Sequence, residues 1–212
     1  NHVPTGPWRA DRATQGAFFL ESFVDEIALA TGRDPLALRR ELLAHDVRAL
    51  RVVETAADKA GWGEAGRGTP QRPLPSGHAL GLAYYECYGS LCAQVAEVSR
   101  GADGLPRVHR VVCAIDCGEV VMPDGARAQV EGGIVQGLSA AMFEAATVEG
   151  GAIAERNFDR YRLLRIGEAP RSIEVHLLAS GEKSGGIGEP GLPPLAPAVA
   201  NALARLDGTR VR

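Results

Sequence analysis

Apolar positions recur at helical spacing through the first third of the chain and at strand spacing after it. Phe19, Phe23 and Ile27 fall at i, i+4 and i+8 with Leu20 and Val24 beside them, while Glu21 and Asp25 mark a polar edge. This period predicts an amphipathic helix that ends at Gly32. Asp34-Pro35 then reads as a cap followed by a first helical residue, opening a short helix that buries Leu36, Leu38, Leu42 and Leu43. Asp46 caps a third helix with Leu50, Val53, Ala57 and Ala60 on one stripe, ending at Gly61 or Gly63.

After a Gly/Pro-rich stretch the period changes. The runs His78 to Glu86, Leu91 to Ser99 and Val108 to Cys117 are rich in Val, Tyr, Cys and Ile and are parted by Gly89-Ser90 and by Gly101-Ala102-Asp103-Gly104, which predicts an antiparallel meander. The last run is apolar on both faces, as in a central strand covered on both sides. A long helix opens at Pro123 or Asp124 and carries Gly132, Gly133 and Gly137 inside it; each costs about 1 kcal/mol relative to alanine, so a close backbone approach is expected there. Strands near 146–153 and 173–178 and a final helix stopped by Gly208 complete the pattern. The predicted class is α+β, with a helical N-terminal segment over 1–61, a linker over 62–77, and a C-terminal α+β unit over 78–212 whose mostly antiparallel sheet is packed by two helices.

Composition changes this picture little. The chain is 45% hydrophobic and 23% charged, ordinary for a globular protein with a sizeable core. Its net charge of −3, with no basic block, argues against nucleic acid as a partner. No apolar run approaches the ~18 residues of a membrane span. The opening Asn1-His2-Val3-Pro4 lacks an initiator Met and a leader pattern, and reads as the start of a piece of a longer polypeptide; the compartment, bacterial cytoplasm or periplasm, is left open. Cys113 and Cys117, four apart in a strand, are too distant for a disulfide, whereas Cys87 and Cys92 flank a turn and could face each other; buried free thiols are the simpler reading. The five histidines, His2, His45, His78, His109 and His176, show no metal-ligand spacing.

The densest chemistry lies in Gly185-Gly186-Ile187-Gly188-Glu189-Pro190-Gly191-Leu192-Pro193-Pro194, followed by the apolar run Leu195 to Leu203. Glycine permits close approach of the backbone and proline removes freedom, so this loop presents one carboxylate, Glu189, from a rigid support. Gly-Gly-Ile-Gly-Glu-Pro with the following Ala196-Pro197-Ala198-Val199-Ala200-Asn201-Ala202 resembles the C-terminal signature of the molybdenum hydroxylases, the xanthine dehydrogenase and aldehyde oxidase family, with the isoquinoline 1-oxidoreductase β-subunit group as the nearest branch. Gly6-Pro7-Trp8-Arg9 with Gln15, Gln129-Val130-Glu131-Gly132-Gly133 through Gln136-Gly137, and Cys113-Ala114-Ile115-Asp116-Cys117-Gly118 resemble further segments of that family, in the same order. Asp11-Arg12 stand where the family has small neutral residues, and Met122 where it has an Asn, which removes one helix-capping bond.

The resemblance implies that Glu189 is the general base beside the molybdenum and that Arg9 holds an oxyanion or a substrate heteroatom. It implies cofactor contacts at Gln136, Gly188 and Gly133. The cofactor would be molybdenum-molybdopterin, in its cytosine dinucleotide form, with the metal held by pterin sulfurs and by no protein ligand. The reaction would be hydroxylation of an aldehyde or N-heteroaromatic substrate with water-derived oxygen, electrons leaving through a 2Fe-2S cluster on an iron-sulfur partner subunit. The remainder of the molybdopterin subunit would be a second partner. Two other readings stand beside it: a non-catalytic fragment or assembly module that cannot bind the cofactor alone, and a metal-free hydrolase using Glu189 as base, for which no nucleophile elbow or triad order is present.

Overall fold

The computed structural model describes residues 5–63, 66, 68–69 and 72–211, the side chains of 68–69 excepted. Parts of the expected linker, at 64, 65, 67, 70 and 71, and the irregular start at 1–4 lie outside the described residues. The helices are α1 (Asp11–Ala30), α2 (Pro35–Leu42), α3 (Val47–Ala60), α4 (Pro123–Met142) and α5 (Leu195–Asp207). The strands are β1 (Gly68–Thr69), β2 (Arg72–Pro73), β3 (His78–Cys87), β4 (Ser90–Arg100), β5 (Pro106–Asp116), β6 (Val148–Glu149), β7 (Ala152–Ile153) and β8 (Ser172–Leu177).

The meander read from the sequence is present. Strands β3, β4 and β5 pair antiparallel, and β8 adds to β5 in parallel, giving the order β3-β4-β5-β8. Strand β5 is buried on both faces, as its unbroken apolar run requires. On one face Cys92, Ala96, Val111, Cys113 and Ile115 meet α4 and α5 through Val130, Ile134, Leu195 and Ala198. On the other, Ala93, Val95, Val112 and Ala114 meet α3 through Val52, Val53 and Ala56. The helical segment and the sheet therefore share one core across the Gly/Pro stretch.

The caps follow the sequence. The Asp34 carboxylate accepts from the Leu36 and Ala37 amides at 2.8 and 2.9 Å, and Asp46 accepts from Ala49 at 3.0 Å. Met122 caps α4 without any side-chain bond. All four cysteines are free. Cys87 and Cys92 do not face each other, since Cys87 pairs with Ser90 and Cys92 with Tyr85. The close pair is instead Cys92 and Cys113, on adjacent strands, with sulfurs 3.5 Å apart.

Helix α1 departs from its periodicity. The stripe of Phe19, Leu20, Phe23 and Ile27 faces solvent, and Leu42 of α2 is exposed as well. The buried face of α1 is Ala13, Ala17, Glu21, Val24, Asp25 and Ala28. Glu21 accepts from Arg39 Nε at 2.8 Å and from the Tyr84 amide at 2.7 Å; Asp25 accepts from Arg205 at 2.5 Å and Arg210 at 3.0 Å. Paired in this way, the polar edge can be buried, while the bulky stripe stays at the surface.

Candidate active site

The loop 185–194 crosses one end of the sheet and is tied down at successive residues. The Gly185 amide donates to Cys117 O and the Gly186 amide to Tyr88 O, both at 2.8 Å. Ser90 Oγ donates to Gly186 O at 2.5 Å, the Leu192 amide to Glu189 O at 3.0 Å, and Gln94 Nε2 to Gly191 O at 2.7 Å. Three glycines here are required by contact: a Cβ on Gly185 would lie 2.6 Å from Gly89 O, one on Gly186 2.8 Å from Tyr88 Cβ, and one on Gly191 2.9 Å from Val130 Cα. Composition pointed to a rigid loop, and these bonds make it one.

Arg9 spans the gap between this loop and α4. Its Nε donates to Gly188 O at 2.7 Å, with a second bond to the same oxygen from NH2. NH1 donates to Gln136 Oε1 at 3.0 Å, and NH2 donates to Gln129 O at 3.1 Å and to Gln129 Oε1 at 3.3 Å. The guanidinium thus holds acceptors of its own chain, where the family resemblance implied a substrate atom. Gln136, its oxygen engaged by Arg9, has an amide NH2 with no partner among the described residues; the residue lines a hollow of about 620 Å³ with Trp8, Gly132, Val135, Ser139 and Tyr161.

The three glycines of α4 divide their work. Gly132 is open, with no atom within 4 Å of an added Cβ. At Gly133 an added Cβ would sit 3.2 Å from Gly191 C and 3.4 Å from Arg9 NH2, and at Gly137 it would sit 3.0 Å from Leu192 O. The close approach expected from these glycines is therefore made at Gly133 and Gly137 by the 188–192 loop of the chain itself. Gly188 is open at its α-carbon while its carbonyl is taken by Arg9.

Glu189 is half-buried, and its carboxylate accepts no hydrogen bond among the described residues. Its charge is felt by Cys87, whose thiol is pushed up to about 12 by burial first, then by Cys92, Glu189 and Glu86. It also reaches Tyr88, raised by desolvation and by Cys87, Asp11 and Glu189. A neutral thiol and a neutral phenol therefore stand near the carboxylate at physiological pH, adding no second negative charge. Ala10, Asp11 and Tyr88, with φ of 65°, 32° and 55°, are the non-glycine residues with positive φ among the described residues, and they lie around this site. Such conformations cost of order 1–3 kcal/mol each and gather at functional sites. Tyr88 and Gly89 (φ 75°) form the two-residue β3–β4 turn, where positive φ is required at both positions.

Cys87, Tyr88, Ser90 and Gln94 carry no strong signal in the sequence. Tyr88-Gly89 is a weak turn pattern, and Gln94 shows only as a lone uncharged polar residue in an apolar strand.

Comparison with known proteins identifies a family. Residues 45–170 match the family model described as "Molybdopterin cofactor-binding domain". The β-subunit of isoquinoline 1-oxidoreductase from Brevundimonas diminuta is 37% identical over 93% of this chain and 25% of its own length. One of the subunits of nicotinate dehydrogenase from Pseudomonas putida is 32% identical over 96% of this chain and 18% of its own length. The chain thus spans a quarter or less of these curated relatives. In fold it is similar to the crystal structure of the aldehyde oxidoreductase from Desulfovibrio desulfuricans, with a TM-score of 0.53, 20% identity, and coverage of 77% of this chain and 20% of that one. The relatives are bacterial oxidoreductases, and a match covering more than half of the residues places this chain in the molybdopterin cofactor-binding domain family.

Proposed function

We propose that this chain is part of a molybdenum hydroxylase acting on an aldehyde or N-heteroaromatic substrate, with Glu189 as its general base. The observation that carries the reading is a half-buried carboxylate with no partner among the described residues, on a loop bonded at residues 185, 186, 188, 189 and 191. A base needs a free acceptor in a fixed position, and this loop supplies both. Arg9 acts by holding Gly188 and orienting Gln136, and so is a positioning residue.

The residues suit a flat polar heterocycle at this face. Gln136 offers an amide NH2, and Gly132 and Gly188 leave the backbone bare. Gly133 serves such a group indirectly, by letting the loop lie close to α4. A metal here would arrive with pterin sulfurs as its ligands. When bound, molybdenum-molybdopterin, in the cytosine dinucleotide form, would supply the two-electron oxidation and the water-derived oxygen. Glu189 would receive the proton released as that oxygen is transferred, and a 2Fe-2S partner subunit would carry the electrons away.

Substituting Glu189→Gln in the full-length enzyme keeps the shape and removes the proton acceptor. The expected result is unchanged folding and molybdenum content with turnover lowered at least ~100-fold, the low end for loss of a general base. Turnover within a few-fold of the parent, at equal molybdenum, would refute the assignment.

A second reading is favoured by length: a chain spanning 25% and 18% of these two relatives would by itself be a non-catalytic module with an incomplete cradle. Stoichiometric molybdenum and turnover in the purified 212-residue chain would rule it out.

A further inference from the structure

We propose that Gln94 is a positioning residue for Glu189, acting through the carbonyl of Gly191; this rests on the reading of Glu189 as the proton acceptor. Gln94 lies in β4, the strand between β3 and β5, and is fully buried. Ala83 and Cys113 stand opposite it on the neighbouring strands, and Cys92 and Ala96 flank it on its own face. An uncharged polar side chain at the centre of such a face needs a reason, because an apolar residue of the same volume would fill the space without burying an amide.

The amide is only half satisfied. Nε2 donates to Gly191 O at 2.7 Å and lies 3.8 Å from Cys92 Sγ, while Oε1 is buried with no partner. With its acceptor orphaned, what the amide contributes is its donor, and that donor goes to the loop. Gly191 is pressed against α4, so it cannot shift toward another donor on that side. The Leu192 amide closes back on Glu189 O at 3.0 Å. Gln94 therefore fixes, from beneath, the short turn whose first residue carries the carboxylate, while Arg9 fixes the carbonyl just before it. Two amino-acid side chains, one from the interior of the sheet and one from the edge of the site, bracket Glu189.

The test separates the loop from the sheet. Hydrogen–deuterium exchange is followed in the full-length protein over residues 187–192, with β4 and β5 as the internal reference. Gln94→Met conserves volume and removes the donor; exchange over 187–192 should rise roughly tenfold while the reference strands are unchanged. Gln94→Glu is the conservative variant. Its carboxyl, buried among apolar neighbours, stays protonated at acid pH and can donate to Gly191 O, so protection of the loop should be retained there and lost as the pH rises through its raised pKa. A filler role predicts no such pH dependence. In the loaded enzyme Gln94→Met should lower kcat about tenfold or more with KM within about twofold, the pattern of a displaced catalytic group.

Unchanged exchange over 187–192 in Gln94→Met overturns the proposal. So does acceleration spread equally over β4 and β5 in both variants, which would mean that Gln94 serves the sheet. A loosened loop with unchanged kcat breaks the link to Glu189, and if Glu189→Gln also leaves turnover intact, it is the general-base reading that has failed.

Discussion

Helices α1 and α3 carry apolar stripes of the same kind, and the fold uses them in opposite ways. In α3 the stripe turns inward: Val53, Ala57 and Ala60, joined by Val52 and Ala56, are buried against Leu80, Leu82, Val95 and Val112 of the sheet. In α1 it turns outward, with Phe19 and Phe23 69% and 61% exposed while Glu21 and Asp25 are 4% and 0% exposed. The difference lies in what each helix meets. Helix α3 lies on a sheet face that is apolar along its middle and charged only at the helix ends, where Asp116 pairs with Arg48 and Arg110 donates to the Lys59 and Ala60 carbonyls. Helix α1 lies where α2, α5 and the segment after α5 bring Arg39, Arg205 and Arg210 together, and where the Tyr84 amide needs an acceptor. Amphipathicity marks two faces of a helix; the charges and surfaces of its neighbours decide which one goes inside.

This contrast can be broken at its strongest point first. Asp25→Asn leaves the buried Arg205 and the half-buried Arg210 without their counter-charge and should cost about 3–5 kcal/mol of stability. Urea unfolding of the chain measures it, and a loss below ~1 kcal/mol would mean that the charged edge does not hold α1. The counterpart on α3 is smaller. Val53→Ala removes two buried carbons from the sheet face and should cost about 2 kcal/mol in the same assay; a neutral result would show that α3 packs loosely. The smallest effect belongs to the outward stripe. Phe23→Ser in the 212-residue chain should stay within ~0.5 kcal/mol of the parent. A loss comparable to that of Val53→Ala would place the stripe inside, and the contrast between the two helices would vanish.

A second contrast concerns the two ways glycine is used near the loop. In the sequence Gly132, Gly133 and Gly137 look alike, three helix-weakening residues that invite a close neighbour. Only the folded chain separates them: Gly133 and Gly137 receive the 188–192 loop, and Gly132 stays open beside Gln136. Arg9 is similar. Its motif marked it as part of the site, but a guanidinium can serve a ligand or a carbonyl equally well, and Gly188, Gln136 and Gln129 are the acceptors it meets.

Local physics made much of the protein legible without coordinates. Caps at Asp34 and Asp46, the strand character from His78 to Cys117 and the Gly/Pro composition of the loop around Glu189 each depend on residues close in sequence, so their signals are complete within a short window, whereas the β3–β4 turn, read at Gly89-Ser90, falls at Tyr88-Gly89. The family follows from the same short motifs taken in order. What only the tertiary structure decided involves partners far apart along the chain. The buried edge of α1 depends on arginines up to 185 positions away, the Cys92–Cys113 contact on strand pairing, and the grip on Glu189 on Arg9 and Gln94, 179 and 97 positions from the carbonyls they hold. A side chain's chemistry limits what it can bond to, but only the packed fold chooses among the donors and acceptors it brings within reach.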